Sequence, residues 1–278
     1  MALDNPAFTN NPAFSGRGNA QTIPTPSAEQ LQDQFNLPAA QQPSSQPMTV
    51  EGTVRITMLN FGVLLVAAAF GWVTAAAMPL LWIAGAIVAL VLGIIQSFKR
   101  EQSPALILGY AVAEGVFVGG ISAFYESAFE GAVGQAVLAT FAVVGVTLFL
   151  FLSGKVRATP KMNKIFLVAV IGYGVFSLIN VIGMWTGMND DPWGMRGSVQ
   201  IFGIPLGLAL GALAVLLGAY SLVMDFDFIQ KGVNNRADKK YQWTGAFGIM
   251  VTVVWLYLEI LRMIAISRRR ENADSRMV

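Results

Sequence analysis

Beyond about residue 54, apolar residues come in long runs and polar residues gather in short gaps between them. The runs are 56–77, 80–98, 104–125, 133–153, 164–185, 201–224 and 243–266. Each is long enough, at 1.5 Å per residue, to cross roughly 30 Å of hydrocarbon as an α-helix. The pattern predicts an all-α, polytopic membrane helix bundle with seven crossings. The break at Ala77-Met78-Pro79 is tight enough to make a hairpin of the first two spans. The longest outer break, 186–200, carries Asp190, Asp191, Pro192 and Trp193. Small residues recur every fourth position at Ala111, Gly115, Gly119 and Ala123, and again at Gly203, Gly207 and Gly211. Such stripes let helix backbones approach closely. Pro205 predicts a bend or a late start in span six.

Ahead of the spans, residues 1–50 form a polar tail too poor in large apolar residues to fold alone. The expected layout is this disordered tail, a transmembrane domain over 51–267 and a short basic tail at 268–278. Asn5-Pro6-Ala7-Phe8 recurs as Asn11-Pro12-Ala13-Phe14, which reads either as a docking peptide or as a chance duplication. The basic start and apolar run of a secretory signal peptide are missing from this tail.

The composition agrees: 55% of residues are hydrophobic and 12% charged, against about 25% charged in soluble domains. A net charge of +2, with scattered charges, argues against a nucleic-acid partner. The absence of Cys and His removes thiol chemistry, the usual general base and the usual transition-metal ligand. A rhomboid-type Ser protease, which needs His, and an HExxH metalloprotease are thereby excluded. The Gly-x-Gly-Asp pattern of intramembrane aspartyl proteases is absent, and no span holds the Lys a retinal protein needs. No enzyme activity and no cofactor are expected.

Loop charge suggests the orientation. Lys99 and Arg100, then Lys155, Arg157, Lys161 and Lys164, then Lys231, Arg236, Lys239 and Lys240 occupy the 2–3, 4–5 and 6–7 connections; Arg196 is the sole basic residue of the others. The positive-inside rule then places the N-terminus in the cytoplasm. Arg268, Arg269 and Arg270 resist it, because seven crossings leave them outside. A last segment that enters and returns is the alternative, and the length of 243–266 favours crossing.

Candidate chemistry rests on acids in apolar runs, where a carboxylate is costly and points to function. Glu114 lies near the middle of span three, Glu259 well inside span seven, and Asp225 and Asp227 where span six ends. Two apart on a helix, Asp225 and Asp227 point to different sides. Asp227, with Gln230 a turn below, is the better site candidate, and Asp225 is expected to face the headgroups. For Glu259 the competing reading is an i,i+3 ion pair with Arg262. For Glu114 it is a hydrogen bond to a neighbouring helix. Paired carboxylates share protons or hold calcium, a hard cation that prefers oxygen.

The run Asp227-Phe228-Ile229-Gln230, a basic loop, Tyr241-Gln242-Trp243 and Leu256-Tyr257-Leu258-Glu259-Ile260 resembles the end of the Bax inhibitor family. Tyr110 to Gly119, with Ala113-Glu114-Gly115-Val116-Phe117 at its centre, resembles the family's third helix, in wording similar to a bacterial branch. The resemblance covers about Thr49 to Ser267. It implies a seven-helix bundle with the last helix central, in the plasma (inner) membrane. It also implies a pH-sensitive calcium leak through paired acids on helices six and seven, here Asp227 and Glu259, with calcium as the ion bound or transported. Secondary site candidates are Asp225, Glu114 and Arg262. The competing function is a non-transporting regulator that binds a membrane protease or another integral membrane protein. Two departures stand out. The helix-seven acid is Glu where relatives have Asp, and 32 positions separate the pair, about two helical turns more than expected. A hinge near Asn234 to Lys240 would put Glu259 about 25 Å along span seven. Span two also lacks the family's Arg latch, having no basic residue before Lys99.

Overall fold

The computed structural model describes residues 27, 28, 32, 46–99, 102–189 and 191–275. The Asn-Pro-Ala-Phe repeat, Arg100 and Asp190 lie outside the described residues. One compact unit, Gln46–Val278, holds seven long apolar helices. They are α1 (Val50–Thr74), α2 (Pro79–Phe98), α3 (Pro104–Ala128), α4 (Ala132–Leu152), α5 (Pro160–Trp185), α6 (Leu206–Asn234) and α7 (Tyr241–Asp274). The protein is an all-α, polytopic membrane bundle. Large apolar side chains such as Leu80, Phe98, Leu138, Phe149, Val168 and Leu178 cover its outer faces, where they meet lipid.

Local chemistry sets the helix starts. Pro79, Pro104 and Pro160 occupy first-turn positions, where a missing N–H goes unused. The Thr49 hydroxyl caps α1 by accepting the Gly52 N–H at 3.0 Å. Glu126 caps α4, its carboxylate accepting the Gly131 N–H at 2.7 Å and the Val133 N–H at 3.0 Å.

Three boundaries differ from the apolar runs. Helix α6 starts late, after Pro205, because Gln200–Ile201 pairs with Ile204–Pro205 around a tight turn. Phe202 and Gly203 make that turn with positive φ (51° and 76°), the geometry of a two-residue hairpin loop. Gly203 therefore leaves the small-residue stripe. At its other end α6 runs on to Asn234, so Asp225 and Asp227 lie inside the helix, not at its end. Helix α7 is unbroken over 34 residues, about 50 Å. A segment that enters and returns needs a turn that α7 does not have.

The two ends of the bundle are tied separately. At one, the Met48 N–H donates to the Ala237 carbonyl (2.7 Å) and the Lys239 N–H to the Gln46 carbonyl (2.9 Å). At the other, Arg268 donates to the Glu130 carbonyl (3.3 Å) and Arg269 pairs with Asp191 (3.0 Å). Arg268 and Arg269 thus sit with the 3–4 and 5–6 connections, away from the Lys-rich loops, and each has a local acceptor.

Helix α1 joins α2 through a short turn, yet both pack mainly on α3. A Cβ at Gly119 would lie 1.9 Å from the Ala68 carbonyl oxygen, and one at Gly115 would lie 2.4 Å from that of Leu64. On the other side of α3, a Cβ at Gly120 would meet the Trp82 side chain at 2.3 Å. Along α7, Gly207, Gly211 and Gly218 of α6 receive Ile266, Met263 and Leu256. Helices α3 and α7 are the most enclosed of the seven, which makes the last helix central.

This packing generates a matched pair of expectations. Gly119→Ala drives a methyl into backbone and should cost at least about 2 kcal/mol. Gly172→Ala on α5, where a Cβ meets nothing within 4 Å, should leave the thermal unfolding midpoint in detergent within error of wild type.

Candidate functional site

Helices α6 and α7 run antiparallel in constant register. Ile229 lies against Gly245, Asp225 against Gly248, Leu256 against Gly218 and Met263 against Gly211. That ladder sets the level of every acid on the pair. Glu259 comes level with about residue 215 of α6. Asp227 is then about 18 Å away along the axis, and Asp225 about 15 Å. The structure does not bring Asp227 and Glu259 together, and they share no ion in this conformation. Among the described residues, no group of three or more His, Cys, Asp or Glu is placed to hold a metal.

Glu259 is 4% exposed and belongs to a charged cluster between α3, α5 and α7. Arg262 donates to its Oε1 at 2.7 Å, the i,i+3 pair visible in the sequence. Arg196 completes the cluster from the short helical turn Met195–Ser198, its Nη1 3.6 Å from Glu259 Oε2. That separation makes an ion pair without a hydrogen bond, and both atoms are buried with no hydrogen-bond partner. Arg196 Nη2 donates to the Tyr173 hydroxyl (2.9 Å) and to Ser177 Oγ (2.7 Å). Its guanidinium lies over the Tyr173 ring, 5.0 Å from the centroid. Tyr125 bonds Arg262 from α3.

The 191–198 turn reaches this position because three clasps hold it. Asn180 of α5 accepts the Met195 N–H (2.7 Å) and donates to the Trp193 carbonyl (3.1 Å). Asp191 accepts the Trp193 N–H (2.8 Å) and pairs with Arg269. Arg196 itself is the third. Desolvating these charges is expensive, and their mutual attraction offsets that cost only while all partners are present.

Asp225 does not face the headgroups as expected. Its carboxylate turns onto α7, accepting the Thr252 hydroxyl at 2.8 Å. Thr252 has one proton to give, so Ser221, 3.2 Å away, donates to Thr252. Asp227 faces elsewhere and pairs with Lys231, one turn on, at 2.6 Å. Gln230 accepts from Arg157 of the 4–5 connection. Glu114 lies beside Tyr110, one turn back on its own helix, and lines a cleft between α2, α3 and α7.

Arg196, Tyr173 and Ser177 are the site residues that the apolar runs concealed. One signal for them exists: Tyr173, Ser177 and Asn180 form a polar stripe at helical spacing on α5, and Arg196 is the lone basic residue of the outer loops. If the cluster holds the turn, Arg196→Ala should destabilise the protein by about 3 kcal/mol. A Cys at position 195 should then react faster with a thiol reagent in that variant than in a wild-type background.

A family model described as Bax inhibitor 1 like matches residues 5–269, nearly the whole chain. No curated protein matches it. Members of the matched family are membrane channels or regulators, not typical enzymes. With seven apolar helices in the expected order and a central last helix, the chain belongs to the Bax inhibitor 1 like family.

Proposed function

We propose that the protein is a gated cation leak of the membrane, with calcium as its ion, in which Asp227 and Glu259 respond to protonation. The observation that supports this most is the setting of Glu259: a buried carboxylate between two guanidinium groups, one of them delivered by a loop turn. An acid so placed couples its own charge to the position of that turn. When Glu259 loses its charge, Arg196 and Arg262 are left facing each other in a poorly solvated place. Repulsion and the unmet cost of burial favour withdrawal of Arg196 and the 191–198 turn. Asp227 acts at the other end of α6, where its charge holds Lys231. Protonation there releases Lys231 and loosens the inner end of the helix. Acid therefore opens the path, and the state described here is closed.

The leak is tested by calcium entry into proteoliposomes loaded with a fluorescent indicator, scanned across pH. Wild type should admit more calcium as pH falls. Glu259→Gln should leak at high pH and respond little to acid, and Asp227→Asn should flatten the response. The effects of the two substitutions should add in the double variant, because the acids are about 18 Å apart along the helix axis and share no partner. An unchanged profile in both single variants would end the proposal. Absence of calcium entry in wild type at every pH would favour a non-transporting regulator that binds a membrane protease or another integral membrane protein.

The orientation belongs to the same proposal: a plasma (inner) membrane protein whose N-terminus and Lys-rich connections are cytoplasmic. Single Cys residues carry no background, since the chain has none. An impermeant reagent added to intact cells should spare a Cys at position 161 and label one placed after Arg270.

A further inference from the structure

A cleft of about 440 Å³ opens between α2, α3 and α7, on a side of α7 away from Asp225. Its walls are apolar and aromatic, with Phe98, Phe117 and Phe247 among them and Ala89 at its base. Into this surface projects one carboxylate, Glu114, on a residue only 9% exposed. Tyr110 lies one turn from that carboxylate, and its ring sits edge-on to Phe247, with centroids 5.1 Å apart. Among the described residues lining the cleft there is no Lys or Arg. The contrast with Glu259 is plain, since that acid is met by two guanidinium groups.

Three kinds of occupant can be weighed. An inorganic cation such as calcium takes about six to eight oxygens. Glu114 and Tyr110 offer three between them, and the nearby Ser97 hydroxyl, which donates to the Gly93 carbonyl at 2.8 Å, would add only one more. A neutral acyl chain suits the walls but leaves the carboxylate without a counter-charge in a poorly solvated place. An organic cation with an apolar body answers both features. Its charge faces Glu114, aromatic faces and edges surround it, and its body covers the walls. The volume falls within the roughly 300–1,000 Å³ of ligand sites.

We propose that the α2–α3–α7 cleft is a binding site for a hydrophobic organic cation, with Glu114 as its counter-ion and the Tyr110 ring beside it. Because Phe247 and Val251 of α7 line the cleft, the occupant touches the helix that carries Glu259. The site stands whether or not the protein conducts calcium.

The test is equilibrium dialysis of benzyltrimethylammonium against the full chain in phosphatidylcholine nanodiscs. Neopentylbenzene, the same shape with carbon in place of nitrogen, serves as the neutral control. Saturable binding of the cation is expected, with only unsaturable partitioning of the hydrocarbon. Glu114→Gln should weaken cation binding at least about tenfold. Ala86→Trp, which fills the cleft and leaves the acid in place, should abolish it. Equal saturable binding of the neutral isostere, no saturable binding of the cation, or unchanged affinity in Glu114→Gln would each overturn the proposal. Should Glu114→Gln fail to fold, Ala86→Trp decides: undiminished binding in that variant overturns it equally.

Discussion

A carboxylate buried in an apolar bundle must be neutralised, and the half of this protein around Glu259 is arranged around that requirement. Glu259 has Arg262 on its own helix, but one guanidinium does not reach both of its oxygens. The second comes from Arg196, which can arrive only if the loop between α5 and α6 folds inward. Asn180, Asp191 and Arg269 hold that loop, and Tyr173 and Ser177 take the Nη2 donors of Arg196. Removing any one partner leaves a buried charge uncompensated, so these residues act as one unit. Helix α5, the most exposed of the seven, joins the bundle here through its polar stripe and at its other end through Asn163 and Phe166 against Tyr220.

The rest of the bundle depends on close approach. Lipid tails are as apolar as the side chains they would replace, so helix association relies on packing and on polar contacts. Glycines on α3 admit the backbone of α1 and the Trp82 side chain of α2, and glycines on α6 admit large side chains of α7. The constant register along α6 and α7 has a functional consequence. It holds the level of Asp225 about three turns of helix from Glu259 and keeps the two polar regions separate.

The two regions differ in kind. Glu259 is matched by two cations, one of them from a loop. Nearer the Lys-rich connections, Asp225 is held by the Thr252 hydroxyl of α7, and Asp227 by a lysine on its own helix. Glu114 is different again, meeting a phenol and an open cleft. One chain thus carries acids in settings that differ in the partner each one meets.

Hydrophobic run length alone was enough for the number and approximate place of the seven helices, because a bilayer leaves few alternatives for a 20-residue apolar segment. The small-residue stripe of α3, the late start of α6 after Pro205 and the Glu259–Arg262 pair were equally legible, since each depends on residues near in sequence. The order of short motifs was enough for the family. What the sequence left open was every contact between distant residues. The turn of Asp225 onto Thr252 depends on the rotation of α6 about its axis, which neighbouring helices set. The inward fold of Arg196 depends on a loop whose path no local preference dictates. An exposed loop arginine and a buried one look alike in a sequence. Tertiary packing alone decided that this one meets Glu259, because only the assembled bundle makes the charge of that acid need it.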